Sequence, residues 1–256
     1  MGDLGRQIWE ARETGGQIER AAVAGVSNRA EAYAIQAEAV AAAGLNRAGW
    51  KVAATSPVAQ QLIGMDGPSI GPVFSEHLYK PGAALVARPE HGAAVECEIA
   101  FVMARDLDGV PDIARDDLLA ATDTALIAVE LVGCRFEGGF KGAGTLACIS
   151  DFSFNAALVT GSAIPGWREM DLKAASASVV VNGETVNQGT GAAVLGDPVE
   201  ALRWAANEAA AIGLPFKAGD IITTGTMTGV SAVKPGDHVV GDFGPLGRIE
   251  MSFIAA

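Results

Sequence analysis

Two glutamates set two positions apart in an apolar run are the first residues in this chain whose types and spacing could do chemistry. They lie in Ala94-Val95-Glu96-Cys97-Glu98-Ile99-Ala100-Phe101-Val102-Met103. Side chains alternate across a strand, so Glu96 and Glu98 share one face, roughly 7 Å apart along the backbone. An isolated buried carboxylate takes up a proton sooner than it stays charged, so two among apolar neighbours require a compensating cation. The competing reading is an edge strand whose polar face is simply wet. A third carboxylate, Glu130, stands in a second strand-like run, Leu126-Ile127-Ala128-Val129-Glu130-Leu131-Val132. All-oxygen ligation selects a hard ion such as Mg²⁺ or Mn²⁺, and three protein ligands leave positions open for water and a small molecule. Lys51, in Gly49-Trp50-Lys51-Val52-Ala53-Ala54-Thr55-Ser56, would ordinarily be a solvated surface lysine. Beside a carboxylate cluster it becomes a candidate partner of that cluster.

The whole chain narrows the classes of function. A formal charge of −12 argues against nucleic acid and anionic membranes as partners, and an anionic substrate would need a local cation to hold it. No apolar run reaches the 18 or so residues that span a bilayer, and Met1-Gly2-Asp3-Leu4-Gly5-Arg6 lacks the basic and apolar regions of a signal peptide, so a cytoplasmic protein is expected. Cys97, Cys134 and Cys148 have no metal-type spacing and read as small apolar fillers. His77, His91 and His238 form no helical pair or nucleophile motif and read as structural or solvated. The 256 residues are enough for a substantial core in one main domain.

The elements that must position these residues are legible in outline. Up to about residue 45 the chain reads as helical, with a loose stripe at Ile8, Ala11 and Ile18 to Ala22, then a helix capped by Asn28 with Glu31 three positions on and stopped by Gly44. Ser56-Pro57 opens a short helix through Leu62, and Asp66-Gly67-Pro68-Ser69-Ile70-Gly71-Pro72 reads as a turn-rich loop. A polar turn spans Arg105 to Asp112, and Asp116 begins a helix that runs into the Glu130 strand. Gly138 to Gly144 lacks the Walker ending and the GxGxxG spacing, so a mobile loop near the site is expected instead of a phosphate cradle. Strands follow at Ala156 to Thr160 and in a hairpin around Asn182-Gly183. A helix comes next, capped by Asp197 with Pro198 in its first turn, Glu200 reaching back and Gly213 closing it. Ile221 to Val230 is a strand ending in a Thr/Gly loop, and the last strands break at Phe243 to Gly247.

Six blocks in order, GWKVAATS at 49–56, VECEIAFVMARDL at 95–107, ALIAVELVGCRF at 125–136, GAAVLGDPVEALRWAANEAAAIG at 191–213, AGDIITTGTMTG at 218–229 and PGDHVVGDFGPLGRIEMSF at 235–253, resemble the fumarylacetoacetate hydrolase superfamily. Within it the likeness is to the 2-keto-4-pentenoate hydratases and the related 2-oxo-3-hexenedioate decarboxylases. The resemblance implies an α+β fold, a mixed β-roll with peripheral helices (residues 46–256) behind a small helical region (residues 1–45). It implies Mg²⁺ or Mn²⁺ on Glu96, Glu98 and Glu130, an active-site lysine at Lys51, an aspartate near the pocket at Asp151, and a Gly225-Thr226 segment that helps hold a substrate carboxylate. It also implies a small-molecule 2-keto acid as substrate and a homo-oligomer. The activity implied is hydration of a 2-hydroxydienoate, with decarboxylation, acylpyruvate C–C hydrolysis and a catalytically silent metal-binding protein as alternatives. Asp151 is the candidate for proton transfer. Two departures bear on the chemistry. Pro68-Ser69-Ile70-Gly71 has Ser69 where the hydratases have an aspartate, which marks Ser69 as a position of altered proton delivery. Phe152-Ser153-Phe154 replaces Asn-Ala-Ser and implies a bulkier, more apolar pocket.

Overall fold

The computed structural model describes residues 3–109 and 112–256. In chain order the helices are α1 (Leu4–Thr14), α2 (Arg29–Ala43), α3 (Pro57–Ile63), α4 (Arg115–Ala121), α5 (Thr145–Ser150) and α6 (Pro198–Ala211). The strands are β1 (Arg47–Ala53), β2 (Ser69–Phe74), β3 (Leu78–Tyr79), β4 (Ala84–Val86), β5 (Ala94–Met103), β6 (Thr122–Val132), β7 (Asn155–Ala163), β8 (Ser176–Val181), β9 (Glu184–Thr190), β10 (Ile221–Thr223), β11 (Ser231–Ala232), β12 (His238–Asp242) and β13 (Arg248–Ile254). Two curled mixed sheets with peripheral helices result, an α+β architecture. One sheet runs β2-β1-β10-β5-β6-β7-β3 with β11 added to β5, and the other runs β4-β13-β12-β8-β9.

Local signals explain most of these elements. The Asn28 side chain accepts from the Glu31 amide, the Glu31 carboxylate accepts from the Ser27 amide, and Gly44 closes α2 in the left-handed region at φ 62°. Ser56 caps α3 through Ala59, and Asp197 caps α6 through Val199. Glu200 does not reach back to its own helix start: it pairs with Arg115 of α4 and with Arg203, so it ties α4 to α6. Asn182-Gly183 turns the β8-β9 hairpin with both residues at positive φ. Among the described residues no helix is long and apolar enough to cross a membrane.

The stretch from Ser69 to Pro72, read as loop, is strand. It pairs antiparallel with β1, Lys51 opposite Gly71 and Trp50 opposite Pro72, and proline is tolerated because β2 is the sheet's edge. The polar turn from Arg105 to Asp112 lies partly outside the described residues. The glycine-rich segment is not left loose, because the Arg20 guanidinium donates to the carbonyls of Gly139, Lys141 and Gly142. His91 is buried, its ring Nε2 2.8 Å from the Gly16 carbonyl. The three cysteines are free and buried, as fillers would be.

Strand order decides where the candidate residues meet. β1, β10, β5 and β6 are consecutive neighbours, so Lys51, the two glutamates of β5 and Glu130 of β6 come from one patch of one sheet. β10 pairs with β5 only at Ala100 to Val102, and β11 pairs only at Ala94 and Val95. Between them the chain from Thr224 to Thr228 leaves the regular ladder but stays bound to β5: the Thr224 amide donates to the Ile99 carbonyl, the Met227 amide to the Cys97 carbonyl, and the Cys97 amide to Thr228 Oγ1.

Candidate active site

Glu96 and Glu130 face each other across the antiparallel β5-β6 pair, and Glu98 lies on the same face as Glu96. One carboxylate oxygen from each of the three lies within 4.8 Å of the others. Glu98 and Glu130 are fully buried, whereas Glu96 opens onto a cavity. Asn155, the first residue of β7, donates its side-chain amide to Glu130 Oε1 at 2.9 Å, and the Gly225 amide donates to Glu98 Oε2 at 2.7 Å. The remaining oxygens of this buried pair, Glu98 Oε1 and Glu130 Oε2, have no hydrogen-bond partner; Lys51 Nζ stands 3.1 Å from Glu130 Oε2 as an ion pair outside hydrogen-bond alignment. Three carboxylates and one ammonium leave two negative charges, the complement of a divalent cation. Without that ion, burial and the two neighbouring carboxylates push Glu98 well above the usual carboxylate range, and burial, opposed by Lys51, raises Glu96 to about 7. Buried, orphaned, mutually repelling oxygens in an all-oxygen set fit Mg²⁺ or Mn²⁺.

Lys51 is itself buried. Burial works to lower its pKa, but Glu130, Glu96 and Glu98 outweigh that and hold it above the ordinary lysine value, so the ammonium is charged. It donates to the Ser153 carbonyl at 2.9 Å. That carbonyl is presented by an unusual turn in which Phe152, Ser153 and Phe154 all have left-handed backbones, with φ of 55°, 49° and 66°. Each such non-glycine residue costs of order 1–3 kcal/mol and persists only where its surroundings enforce it. Part of the enforcement is Gly71, where a Cβ would stand 2.0 Å from the Phe152 carbonyl oxygen. Gly225 plays a matching part: a Cβ there would meet Thr55 Oγ1 at 2.1 Å, so only glycine lets this loop lay its amide on Glu98.

Lys51 and Glu96 border a cavity of about 910 Å³, with Thr55, Phe140, Phe154 and Thr226 also on its wall. The resemblance thus places Lys51, the three glutamates and Thr226 at one locus. It fails for two residues. Asp151 is not on the cavity wall: both its oxygens are taken by Arg135, from the backbone amide at 2.8 Å and from Nε at 2.5 Å, and both residues are buried. Burial raises the Asp151 carboxyl to about 6 against the pull of Arg135, which leaves it ionised at neutral pH and bound to its partner. Asp151 therefore anchors structure and does not transfer protons in the cavity. Ser69 is likewise buried behind the wall, its hydroxyl 2.9 Å from Ser153 Oγ and 3.7 Å from Cys148 Sγ. It backs the left-handed turn and delivers no proton to the cavity. Gly225 serves Glu98 and is not itself on the wall. Of the Phe152-Ser153-Phe154 departure, Phe154 lines the cavity, while Phe152 packs in the core against Trp9 and Phe74.

Asn155 and the Ser153 carbonyl escaped the sequence reading, since nothing in the chain before them signals which buried carboxylate or ammonium they will meet. Thr55, whose buried hydroxyl lacks a protein partner, was visible only as one of several small polar residues after Lys51. One consequence is testable: Asp151→Asn should lower stability by about 3–5 kcal/mol in denaturant melts, because it leaves the buried Arg135 uncompensated. A loss below 1 kcal/mol would mean that the pair does not anchor this region.

Comparison with known proteins places the chain in a family and agrees with its fold. A family model described as fumarylacetoacetate (FAA) hydrolase C-terminal matches residues 68–254. The 2-keto-4-pentenoate hydratase of Paraburkholderia xenovorans (strain LB400) is 33% identical over 227 residues, 87% of this chain and 83% of that protein. The 2-hydroxyhexa-2,4-dienoate hydratase of Comamonas testosteroni is 34% identical over 193 residues, 74% of this chain and 72% of that protein. Among solved structures, 4-oxalocrotonate decarboxylase from Pseudomonas putida G7, complexed with magnesium and adipate, has a TM-score of 0.89 at 27% identity and covers 99% of this chain and 97% of its own.

Proposed function

The chain belongs to the fumarylacetoacetate hydrolase family, and from that premise we propose that it is a Mg²⁺- or Mn²⁺-dependent lyase that hydrates a 2-hydroxy-2,4-dienoate to a 4-hydroxy-2-keto acid. The observation that carries the proposal is the convergence of Glu96, Glu98 and Glu130 with a charged, buried Lys51 at the wall of one cavity. When bound, a divalent ion supplies Lewis-acid stabilisation of negative charge on the substrate's C2 oxygen.

The chain's own residues do the rest. Glu96, Glu98 and Glu130 would hold the ion; Asn155 and Gly225 each occupy one outer carboxylate oxygen and so orient Glu130 and Glu98. Lys51, fixed by the Ser153 carbonyl, offers its remaining N–H bonds to the substrate's carboxylate and C2 oxygen. The dienol loses its hydroxyl proton and gains one at C5, giving an unsaturated ketone. Water then adds its oxygen at C4 and a proton at C3. Lys51 is the proposed proton relay, since its ammonium is the strongest N–H donor on the cavity wall among the described residues. Thr226, on the cavity wall, is proposed to bind the carboxylate. The helical residues 1–45 would support a catalytic unit of residues 46–256, and a cytoplasmic homo-oligomer is part of the same proposal, drawn from family kinship.

A second reading, decarboxylation, is favoured by the near full-length similarity to the decarboxylase structure. One experiment separates them: consumption of 2-hydroxypenta-2,4-dienoate followed by ultraviolet absorbance with and without Mg²⁺, with product and CO₂ assayed together. Hydrated keto acid without CO₂ from the dienoate supports hydration. CO₂ release from a 2-oxo-3-enedioate with an inert dienoate would overturn it.

A further inference from the structure

We propose that the substrate carries a long, uncharged tail, an alkyl or aryl group, seated against Phe140, Phe154, Leu62, Ile63 and Leu195. This inference rests on the dienoate reading above and names the substrate class that reading leaves open. Three observations carry it.

The first is size. A cavity of about 910 Å³ lies near the top of the span of about 300–1,000 Å³ that encloses drug-sized ligands, whereas the shortest dienoate has only about eight non-hydrogen atoms. The reacting group fills one end and leaves most of the volume to whatever follows C5.

The second is charge. Among the described residues Lys51 and Glu96 are the only charged side chains on the wall, and both belong to the reacting end. Away from them the polar side chains are neutral, Gln60, Gln188 and Thr190 among them. A second carboxylate at the tail would lose its hydration with no cation to receive it, which disfavours a dicarboxylate.

The third is the wall itself. Phe140 and Phe154 meet edge to face, with ring centroids 5.2 Å apart at 77°, and Leu62 and Ile63 come from the end of α3. The loop that carries Phe140 is stitched to α3, with the Gly142 amide donating to the Leu62 carbonyl and the Gly144 amide to the Ile63 carbonyl. Arg20 holds the same loop from outside through three carbonyls. The apolar wall is therefore formed before anything binds, so an apolar tail gains contact without ordering the loop.

The test is kcat/KM of the Mg²⁺-loaded protein on 2-hydroxypenta-2,4-dienoate, on its homologues extended by one to three methylenes, on a phenyl-terminated dienoate and on the carboxylate-terminated 2-hydroxymuconate. The expected result is a rise of about threefold to fourfold per added methylene, a phenyl-terminated substrate at least about tenfold above the shortest, and the carboxylate-terminated one at least about tenfold below it, the smallest step that one methylene-sized contact commands. Phe140→Ala should remove most of the phenyl gain while leaving the shortest dienoate within about twofold, and Phe140→Leu, which keeps the wall apolar and guards against misfolding, should retain the alkyl series. A flat series, or a preference for the carboxylate terminus, with the shortest dienoate turned over normally, would overturn the tail inference alone. No turnover of any member, the shortest included, would overturn the dienoate reading and this inference with it.

Discussion

Glu98→Gln is expected to lower metal affinity by more than about 100-fold and turnover by about 10²–10³-fold or more, while making the metal-free protein more stable. The two directions have one cause. Glu98 is fully buried beside two other carboxylates, and its Oε1 has no partner. With the ion present it is a ligand, and loss of even an outer partner of such a ligand typically costs 10–100-fold in affinity. Without the ion it can ionise only against burial and two like charges, so an isosteric amide that never ionises relieves the cluster as the pH rises. The pH dependence has the same origin. Glu98 and Glu96, the latter at about 7, are raised in the folded state, so the metal-free protein holds protons that the unfolded chain would release. The Glu96 contribution to its stability is present below the ordinary carboxylate range and is lost as pH rises through about 7, and that of Glu98, also raised, is lost as pH rises through its own elevated range. Metal affinity should move oppositely, strengthening over the same interval as the ion ceases to compete with protons. Denaturant melts in chelator at several pH values, paired with turnover in excess Mg²⁺, check both. A variant with wild-type metal affinity would sink the ligand assignment.

Lys51→Ala is expected to retain the metal and lose about 10²–10⁴ in kcat, the usual worth of a positioned proton donor. Lys51 pairs with Glu130 and with the Ser153 carbonyl, and it lies on the cavity wall. The measurement is kcat with saturating Mg²⁺ alongside metal stoichiometry. Turnover within about tenfold of wild type, a barrier change of roughly 1.4 kcal/mol, would show that the lysine serves only the buried carboxylates.

The parts of the site legible in the sequence are those set by strand periodicity. Alternation alone put Glu96 and Glu98 on one face, and Glu130 was visible as a charge inside an apolar strand; the structure places it opposite Glu96. Helix caps at Asn28, Ser56 and Asp197 were equally local and stand as read. What the sequence did not disclose was tertiary. Ser69 and Asp151 lie in motifs from which proton delivery is expected, yet here one is sealed in an edge strand whose glycine and proline look like a turn. The other is engaged by Arg135, a pairing 16 residues apart that no spacing rule anticipates. The left-handed run at Phe152, Ser153 and Phe154 is also invisible in residue type, because none of the three favours that backbone. It follows from what surrounds the turn: Gly71 yielding space on one side and Lys51 binding the Ser153 carbonyl on the other.

The most direct measurement is a titration of Mn²⁺ into the metal-free full chain, with bound ion counted by electron paramagnetic resonance, for wild type and for Glu96→Gln, Glu98→Gln and Glu130→Gln. The expected result is one tightly bound ion per chain in wild type, with each substitution weakening it and circular dichroism unchanged. Wild-type protein that binds no ion, or three substitutions that leave stoichiometry and affinity intact, would contradict the assignment of these carboxylates as the metal site.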